Sequence, residues 1–408
     1  MRSIENNRGR NVYILGAGFS KEAGLPVMAS FLETARHAID WLENQGRTKE
    51  AKSVRVLLDF RGKATSATFR GVRIDIDNIE ELFSLASATG DRKLEATCTR
   101  AIAAVLYYAK RTSDQLCCFL TPERGRRPLS SWHPLAGRLA KPRNYLAWVY
   151  DYYASILGGR VKAGNRGSYD TIITLNYDLV LEEALRNLRI PFNYGLPTKD
   201  IVFDPSAFWI KRRYYRDSVE ILKLHGSLNW VAPMEKPRLL PLKGIPSLDR
   251  LDAAAIYSMA VYIFGSYVNI LKAGKIPLLL PPTWRKTFGM QLSVVWRRAL
   301  ASIQQADRIV VVGYSFPETD LHIRYLLAAG LMTSRRSPSI WVVNPQKGLE
   351  RKIRTTFWGN TRPQFGPRLH FVRRTAAHFF FSPSWIQKIG RNRSWFTGTL
   401  RVAQRGIN

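Results

Sequence analysis

Three short polar segments of the chain each follow an apolar run of the kind that forms a buried β-strand. They are Gly16-Ala17-Gly18-Phe19-Ser20, Thr174-Leu175-Asn176-Tyr177-Asp178 and Leu224-His225-Gly226-Ser227. Parallel strands of an α/β sheet end at a common edge, and the ligands of such folds bind there. We therefore expect these segments, although far apart in sequence, to meet in one pocket.

Strands and helices alternate along most of the sequence. Apolar runs predict strands at 11–16, 169–175, 221–224, 308–312, 340–343 and 369–372. Helical spacing of apolar residues predicts helices at 179–188, 293–305, 321–329 and 349–357, and a further helix from Ser20 onward. This alternation predicts an α/β fold with a Rossmann-like, mostly parallel sheet and helices on both faces.

Two stretches interrupt the alternation. Residues 41–167 show amphipathic helical patterns without strand alternation, and residues 231–292 read as irregular and contain a proline-rich run. We therefore predict a core made of 1–40 and 168–382, a large, mainly helical insertion at 41–167, an irregular insertion within the core at 231–292, and a basic tail at 383–408.

The composition is that of a globular protein with a strong positive charge. Of 408 residues, 46% are hydrophobic, and 62 Lys and Arg against 31 Asp and Glu give a net charge of +31. Such a charge attracts polyanions, including nucleotides and nucleic acids. A solvated basic surface explains the charge equally well, so charge alone does not identify the ligand.

Cysteine usage and the N-terminal sequence indicate a cytoplasmic protein. Cys98, Cys117 and Cys118 lack metal-ligand spacing, and we expect them to be reduced thiols. The first apolar run, Val12 to Leu15, is too short for a signal peptide or a membrane span. We expect no membrane association.

The glycine segment is suited to a phosphate group. Gly16 and Gly18 allow a tight turn close to a diphosphate, at the N-terminus of the helix predicted from Ser20. The common dinucleotide fingerprint would have a third glycine at the position of Lys21, whereas here Gly24 follows instead. Close packing explains such a turn as readily as phosphate binding does.

The other two segments carry groups suited to chemistry on a sugar. Asn176 and Asp178 point to the same side of an extended chain, and an amide beside a carboxylate suits a reaction through a positively charged sugar. The alternative is that Asp178 caps the helix that begins near Leu179. His225 lies at a strand end next to Gly226, where a catalytic role competes with a structural one.

In this order the segments resemble the sirtuin-type, or SIR2-like, family of NAD-binding domains. The resemblance is carried by the run from Gly16 to Pro26, by Thr174-x-Asn176-x-Asp178, by His225-Gly226, by Val312-Gly313-Tyr314-Ser315 and by Val343-Asn344-Pro345. The stretches Lys223 to Trp230 and Gly313 to Pro317 further resemble the bacterial branch associated with antiphage defence.

The resemblance implies a set of site residues. NAD+ would be bound by Gly16, Ala17, Gly18, Ser20, Thr174, Gly313, Ser315 and Asn344. Of these, Ala17, Gly18 and Ser20 would contact the phosphates, and Gly313, Ser315 and Asn344 the adenosine half. The catalytic residues Asn176, Asp178 and His225 would surround the nicotinamide ribose.

The sequence departs from sirtuin deacylases in one informative way. No pairs of Cys-x-x-Cys follow His225, so we expect neither a structural zinc module nor any other metal site. Water then replaces the acyl peptide as the acceptor, which predicts an NAD+ glycohydrolase that forms nicotinamide and ADP-ribose. NAD+ is its substrate, with no further cofactor. Asn176 would position water and ribose, His225 would act as general base or ribose partner, and Asp178 would give electrostatic support.

As a member of the defence branch, the protein would act by depleting NAD+, held in check by a homo-oligomer or by a partner such as a HerA-type ATPase. The competing hypothesis is a nucleic-acid-binding or nuclease component with a regulatory nucleotide pocket. It is supported by the net charge and by the basic and aromatic cluster at 209–216. A deacylase ranks below both because the cysteine pairs are absent.

Overall fold

The computed structural model describes residues 10–72, 74–120, 145–157, 170–211, 218–232, 260–281, 290–317, 320–334, 337–358 and 369–380. Its strands are β1 (Asn11–Leu15), β2 (Thr171–Thr174), β3 (Phe192–Asn193), β4 (Ile201–Phe203), β5 (Val219–Lys223), β6 (Gly226–Ser227), β7 (Trp230–Val231), β8 (Val261–Ile263), β9 (Leu278–Leu279), β10 (Arg308–Val312), β11 (Ser339–Val343) and β12 (Leu369–Val372).

The α-helices of the described residues lie mostly between these strands or in the predicted insertion. They are α1 (Ala17–Ser20), α2 (Phe31–Asn44), α3 (Thr48–Phe69), α4 (Ile79–Ala88), α5 (Arg92–Leu120), α6 (Tyr145–Leu157), α7 (Val180–Asn187), α8 (Phe208–Lys211), α9 (Tyr267–Lys272), α10 (Met290–Gln304), α11 (Leu321–Met332), α12 (Leu349–Trp358) and α13 (Ala376–Phe380).

A seven-stranded sheet in the order β12-β11-β10-β1-β2-β5-β3 forms the centre, and all its paired strands are parallel. β1 is buried over its whole length, as expected for a strand covered on both faces. On one side of β1 the next strands are β2 and β5. On the other side they are β10, β11 and β12. With right-handed crossovers this change of direction at β1 places helices on both faces. The predicted fold class is therefore confirmed.

The prediction of a helix running onward from Ser20 is wrong. The short helix α1 is followed by two 3-10 turns, Lys21–Ala23 and Met28–Ser30, and α2 begins only at Phe31. Gly24 ends the first of these turns with a φ of 80°, a left-handed conformation that favours glycine, and Pro26 has no N–H to continue a helix. The glycine segment therefore opens a single short helical turn rather than a long helix.

The two predicted insertions differ in structure. Between 41 and 167 the described residues contain helices and no strand. Within 231–292, the described part at 260–281 holds β8, α9 and β9 where we predicted irregular structure. Strands of two or three residues give no alternation pattern that a sequence could reveal. The division into domains stays a prediction, and the tail at 383–408 lies outside the described residues.

Candidate active site

The predicted site residues follow strands that end at one edge of the sheet. Leu15 of β1 is in register with Thr174 of β2 on one side and with Val312 of β10 on the other. Register continues from Thr174 to Lys223 of β5, and from Val312 to Val343 of β11. The segments after these strands therefore lie side by side, as expected from the sequence.

The glycine segment packs directly on the turn after β10. Gly16 N–H donates to Val312 O at 3.0 Å, and Gly18 N–H donates to Gly313 O at 2.9 Å. A Cβ atom on Gly18 would lie 2.8 Å from the Cα of Gly313, and one on Gly313 would lie 2.3 Å from the backbone nitrogen of Phe19. Close packing alone thus accounts for these glycines. Phosphate binding here stays a prediction.

Helix α6 holds the residues after the glycines in place. The Tyr150 hydroxyl donates to Phe19 O at 2.6 Å and accepts from Ala23 N at 3.1 Å. The Tyr153 hydroxyl donates to Glu22 Oε2 at 2.6 Å. Both tyrosines also pack against the ring of Phe19. A helix of the predicted insertion thus positions the turn that follows the glycines, a link that the sequence did not indicate.

Asn176 is oriented by hydrogen bonds to the glycine segment. Its Nδ2 donates to Gly16 O and to Ser20 Oγ, both at 3.0 Å, and its backbone N–H donates to Thr174 Oγ1 at 3.1 Å. Because the Gly16 carbonyl can only accept, the amide nitrogen must face it. The Oδ1 atom then points away and accepts no hydrogen bond within the described part of the chain. Asn176 therefore offers a fixed acceptor to a ligand.

Asp178 bonds to the start of α7, although the N-cap residue of this helix is Leu179. Its Oδ1 accepts from Val180 N–H at 3.0 Å, at the start of α7. Its backbone carbonyl accepts from Lys223 Nζ, which also donates to Glu182 Oε1 at 2.9 Å. Burial raises the pKa of Glu182 although Lys223 opposes this. A catalytic role for Asp178 stays a prediction, and the buried Lys223–Glu182 pair was not foreseen.

His225 lies in a turn between β5 and β6 whose backbone is fixed on several sides. Gly226 has a φ of 88°, and a Cβ there would lie 2.1 Å from Leu278 O, so only glycine allows β6 to pair with β9. Leu280 N–H donates to His225 O at 2.8 Å, and Trp296 Nε1 donates to Leu224 O at 3.1 Å. The backbone that carries the imidazole is thus fixed at the sheet edge.

The His225 side chain faces a carboxylate that the sequence analysis missed. Its Nε2 lies 3.9 Å from Asp320 Oδ1, and the two side chains are 6% and 1% exposed. Asp320 Oδ2 accepts from the Tyr314 hydroxyl at 2.8 Å, whereas Oδ1 has no hydrogen-bond partner among the residues that the structure describes. In the sequence, Asp320 directly precedes a helix, where aspartate usually serves as a cap. That common role concealed its relation to His225.

The environment of His225 favours its neutral form. Burial lowers the pKa of the imidazole, Asp320 raises it in part, and His322 lowers it further. Burial and Asp320 together raise the pKa of Tyr314 well above its usual value, so the phenol keeps its proton. The shift therefore favours the unprotonated imidazole, which is the form that can accept a proton.

The residues predicted for the adenosine half form a second fixed turn. Asn344 Nδ2 donates to Tyr314 O at 3.1 Å, and its Oδ1 accepts from Gln346 N–H at 2.9 Å. Gly313 has a φ of 68° and Phe316 a φ of 51° in the turn that also carries Ser315. Both ends of the Asn344 amide are therefore used within the protein, and its contact with a nucleotide stays a prediction.

Comparison with a protein family fits this arrangement. The model of the SIR2-like domain matches residues 170–362. That range contains β2 to β11 and the candidate residues from Thr174 to Asn344. Residues 170–362 form a SIR2-like domain. The glycine segment precedes this SIR2-like domain in sequence, but β1 lies between its strands β2 and β10.

Solved sirtuin structures are distantly similar to the chain that contains this SIR2-like domain. A Sir2 homolog–NAD complex is 14% identical, with coverage of 93% of this chain and 89% of that chain and a TM-score of 0.37. Sir2Tm bound to a propionylated peptide is 12% identical, with coverage of 94% of each chain and a TM-score of 0.34. No curated protein matches the sequence.

Two further observations concern all the described residues, including those of the SIR2-like domain. Among them, no group of three or more His, Cys, Asp or Glu side chains is arranged to hold a metal ion. None of the described helices combines the length and apolar character needed to cross a bilayer.

Proposed function

We propose that the chain is an NAD+ glycohydrolase, which hydrolyses the bond between nicotinamide and ribose. The SIR2-like domain suggests an enzyme that uses NAD+. The observation that carries the proposal is the pair of acceptors at the sheet edge. Asn176 Oδ1 and the neutral imidazole of His225 follow adjacent parallel strands, and in the described residues neither accepts a hydrogen bond.

We infer from the strand register that the two groups lie close enough to serve one ligand. Thr174 pairs with Lys223, and Asn176 and His225 each come two residues later. Adjacent strands lie about 4.8 Å apart. Tyr177, next to Asn176, has its ring centroid 6.4 Å from that of His225. A ribose ring and a water molecule are of the size that such neighbouring groups can bind together.

The reaction we propose is a substitution at the anomeric carbon of the ribose. The C–N bond breaks, its electron pair passes to the pyridine nitrogen, and nicotinamide leaves as a neutral molecule. Water adds its oxygen to the same carbon, and one of its protons passes to His225 and then to solvent. Asn176 Oδ1 accepts a hydrogen bond from the water or a ribose hydroxyl. Its dipole also stabilises the positive charge that develops on the sugar.

The remaining predicted residues are proposed to hold the rest of the nucleotide. The segment from Gly16 to Ser20, together with Thr174, would bind the diphosphate. Asn176 donates hydrogen bonds to this segment, which therefore lies next to the proposed site of reaction. The turn with Gly313 and Ser315, supported by Asn344, would bind the adenosine half. The net charge of +31 favours an anionic substrate. We assign Asp178 a supporting position at the start of α7.

Water is the proposed acceptor because the sequence offers no second substrate module of the deacylase kind. The whole chain has three cysteines, too few for the two cysteine pairs of a zinc module. On the resemblance of Lys223 to Trp230 and of Gly313 to Pro317, we further propose that the protein is the effector of an antiphage defence system. An oligomer or a HerA-type ATPase would restrain the protein, and it would deplete NAD+ once that restraint is removed.

The test is incubation of the protein with NAD+, alone and with the product of a neighbouring gene, followed by chromatography. We expect nicotinamide and ADP-ribose in equal amounts. Asn176→Ala and His225→Ala should each lower the rate by about 100-fold or more. Asn44→Ala and His37→Ala, which remove the same residue types from exposed positions on α2, are the matched controls.

The opposite results are equally clear. Full turnover in a correctly folded Asn176→Ala or His225→Ala variant would refute the assignment. Salt-sensitive DNA binding, without any NAD+ turnover under either condition, would favour the nucleic-acid hypothesis instead.

A further inference from the structure

Asp320 occupies a helix-capping position without capping the helix. It directly precedes α11, where an aspartate usually accepts a hydrogen bond from the first helical turn, but its side chain makes no such bond. Asn78 before α4 and Asp204 before Pro205–Ala207 do make theirs. The carboxylate of Asp320 is turned inward instead, and the residue is 1% exposed.

Its two oxygen atoms have different surroundings. Oδ2 is fixed by the Tyr314 hydroxyl at 2.8 Å. Oδ1 has no hydrogen-bond partner and lies 3.9 Å from Nε2 of His225, whose imidazole also has no hydrogen bond within the described residues. A buried carboxylate oxygen without a partner is costly, so a site that keeps one requires an explanation.

We propose that Asp320 is a positioning residue that orients the imidazole of His225 and stabilises it when it becomes protonated. The inference rests on the proposed function. Oδ1 favours the tautomer in which Nε2 carries the hydrogen, which leaves Nδ1 free to take the proton from water. After that transfer the imidazolium and the carboxylate form a charge-assisted pair. Asp320 itself touches neither water nor NAD+ in this mechanism.

Other charged groups surround the pair from neighbouring elements. His322 on α11 lowers the pKa of His225, whereas Asp320 raises it against the effect of burial. The ring of Tyr177, after β2, lies 6.4 Å from the imidazole, and Glu80 on α4 raises the pKa of both Tyr177 and Tyr314. Removal of the Asp320 charge should therefore lower the pKa of His225.

The first test is an NMR titration of the histidines, with the His225 signal assigned from His225→Gln. Asp320→Asn should lower the pKa of His225 by about one unit, because an opposite charge is lost. Tyr314→Phe should raise it, since the carboxylate loses a hydrogen-bond donor and becomes a stronger partner for the imidazolium. Asp204→Asn, which alters an aspartate that does cap, should leave it unchanged.

The second test is the pH dependence of nicotinamide release. In Asp320→Asn we expect kcat to fall by about 100-fold, with KM for NAD+ changed by less than about twofold, because the carboxylate acts through His225. The acid limb of the kcat profile should move to lower pH, in step with the lower pKa of the imidazole.

The outcomes separate this inference from the proposed function. If the wild-type protein releases no nicotinamide, the proposed function fails, and the titration still decides the role of Asp320. A His225 pKa that is equal in the wild type, Asp320→Asn and Tyr314→Phe overturns the inference. So does an Asp320→Asn enzyme with a raised KM and an unchanged kcat. If Asp320→Asn does not fold, the His225 pKa in Tyr314→Phe decides: a rise supports the inference, and a fall or no change overturns it.

Discussion

The edge of the sheet has two halves that differ in how their polar groups are used. The glycine half comprises the turns after β1, β10 and β11, and its groups bond to one another, from Gly16 and Val312 to the Asn344 amide. The histidine half comprises the turns after β2 and β5 together with Asp320. There Asn176 Oδ1, the His225 imidazole and Asp320 Oδ1 stay without hydrogen-bond partners in the described residues.

The difference indicates that the glycine half provides a rigid structure and that the histidine half provides the reacting groups. A turn whose backbone is fully bonded is rigid and has a fixed shape, which suits a surface that a nucleotide lies against. Each unpaired buried acceptor costs about 1 to 3 kcal/mol in the free protein, a cost that a ligand can remove. Substitutions in the glycine half should therefore change folding first, and substitutions in the histidine half should change turnover first.

The largest expected effect is on the glycine half. In Gly313→Ala, the new Cβ would lie 2.3 Å from the Phe19 nitrogen, and φ is 68°. Overpacking and left-handed strain together should lower the free energy of unfolding by about 3 to 5 kcal/mol, measured by urea denaturation.

Gly348→Ala separates these two costs. Gly348 has a φ of 79°, but apart from its chain neighbours no atom of the described residues lies within 4 Å of the position that an added methyl group would take, so its substitution should cost only the strain, about 1 kcal/mol. Equal losses of stability in the two variants would show that the contact between the glycine turns is not tight, and the contrast between the halves would collapse.

Asn176 links the halves and should show both effects. In Asn176→Ala we expect nicotinamide release to fall by about 100-fold, because the acceptor is lost. Asn176→Asp should lose as much turnover and also unfold more easily than the alanine variant, by about 1 kcal/mol, since an oxygen would then face Gly16 O. The two quantities are measured by product chromatography and urea denaturation. A stable, active Asn176→Asp would mean that the amide is not bound as described.

Much of the fold could be predicted from the sequence because central strands such as β1 and β10 are buried almost throughout. Continuous apolar runs such as 308–312 and 340–343 coincide with β10 and β11 within a residue. The elements that were predicted wrongly or not at all lack such a pattern. The helix expected from Ser20 is broken by Gly24 and Pro26, whose effect depends on backbone conformation, and β6 and β9 are too short for periodicity.

The site was predictable only in part, for a related reason. Asn176 and His225 could be proposed as site residues because each follows a predicted strand, and parallel strands end at one edge of the sheet. Asp320 was missed since an aspartate before a helix is expected to cap it, and only the structure shows the side chain turned inward. The glycines follow β1 as predicted, but their tight contact with the turn at Gly313 depends on tertiary packing that no local pattern encodes.

Asp178 tests whether the histidine half extends to the start of α7. Asp178→Asn keeps an oxygen that can accept from Val180 N–H, whereas Asp178→Ala does not. We expect the alanine variant to lose about 1 kcal/mol of stability and the asparagine variant very little, by urea denaturation. Turnover should survive in Asp178→Asn. A large loss of nicotinamide release in this folded variant would instead assign the carboxylate to the chemistry.

The smallest expected effect is the pH dependence of stability that His225 contributes. In the unfolded chain the imidazole titrates near its ordinary pKa of 6.5, and burial lowers that pKa in the native state. Below the ordinary pKa the unfolded state therefore binds more protons, so stability falls as the pH decreases. Between about pH 7.5 and about pH 5.5, the wild type should lose more stability than His225→Gln. An equal loss in both proteins would mean that the imidazole is hydrated or already paired, and the histidine half would then be no less satisfied than the glycine half.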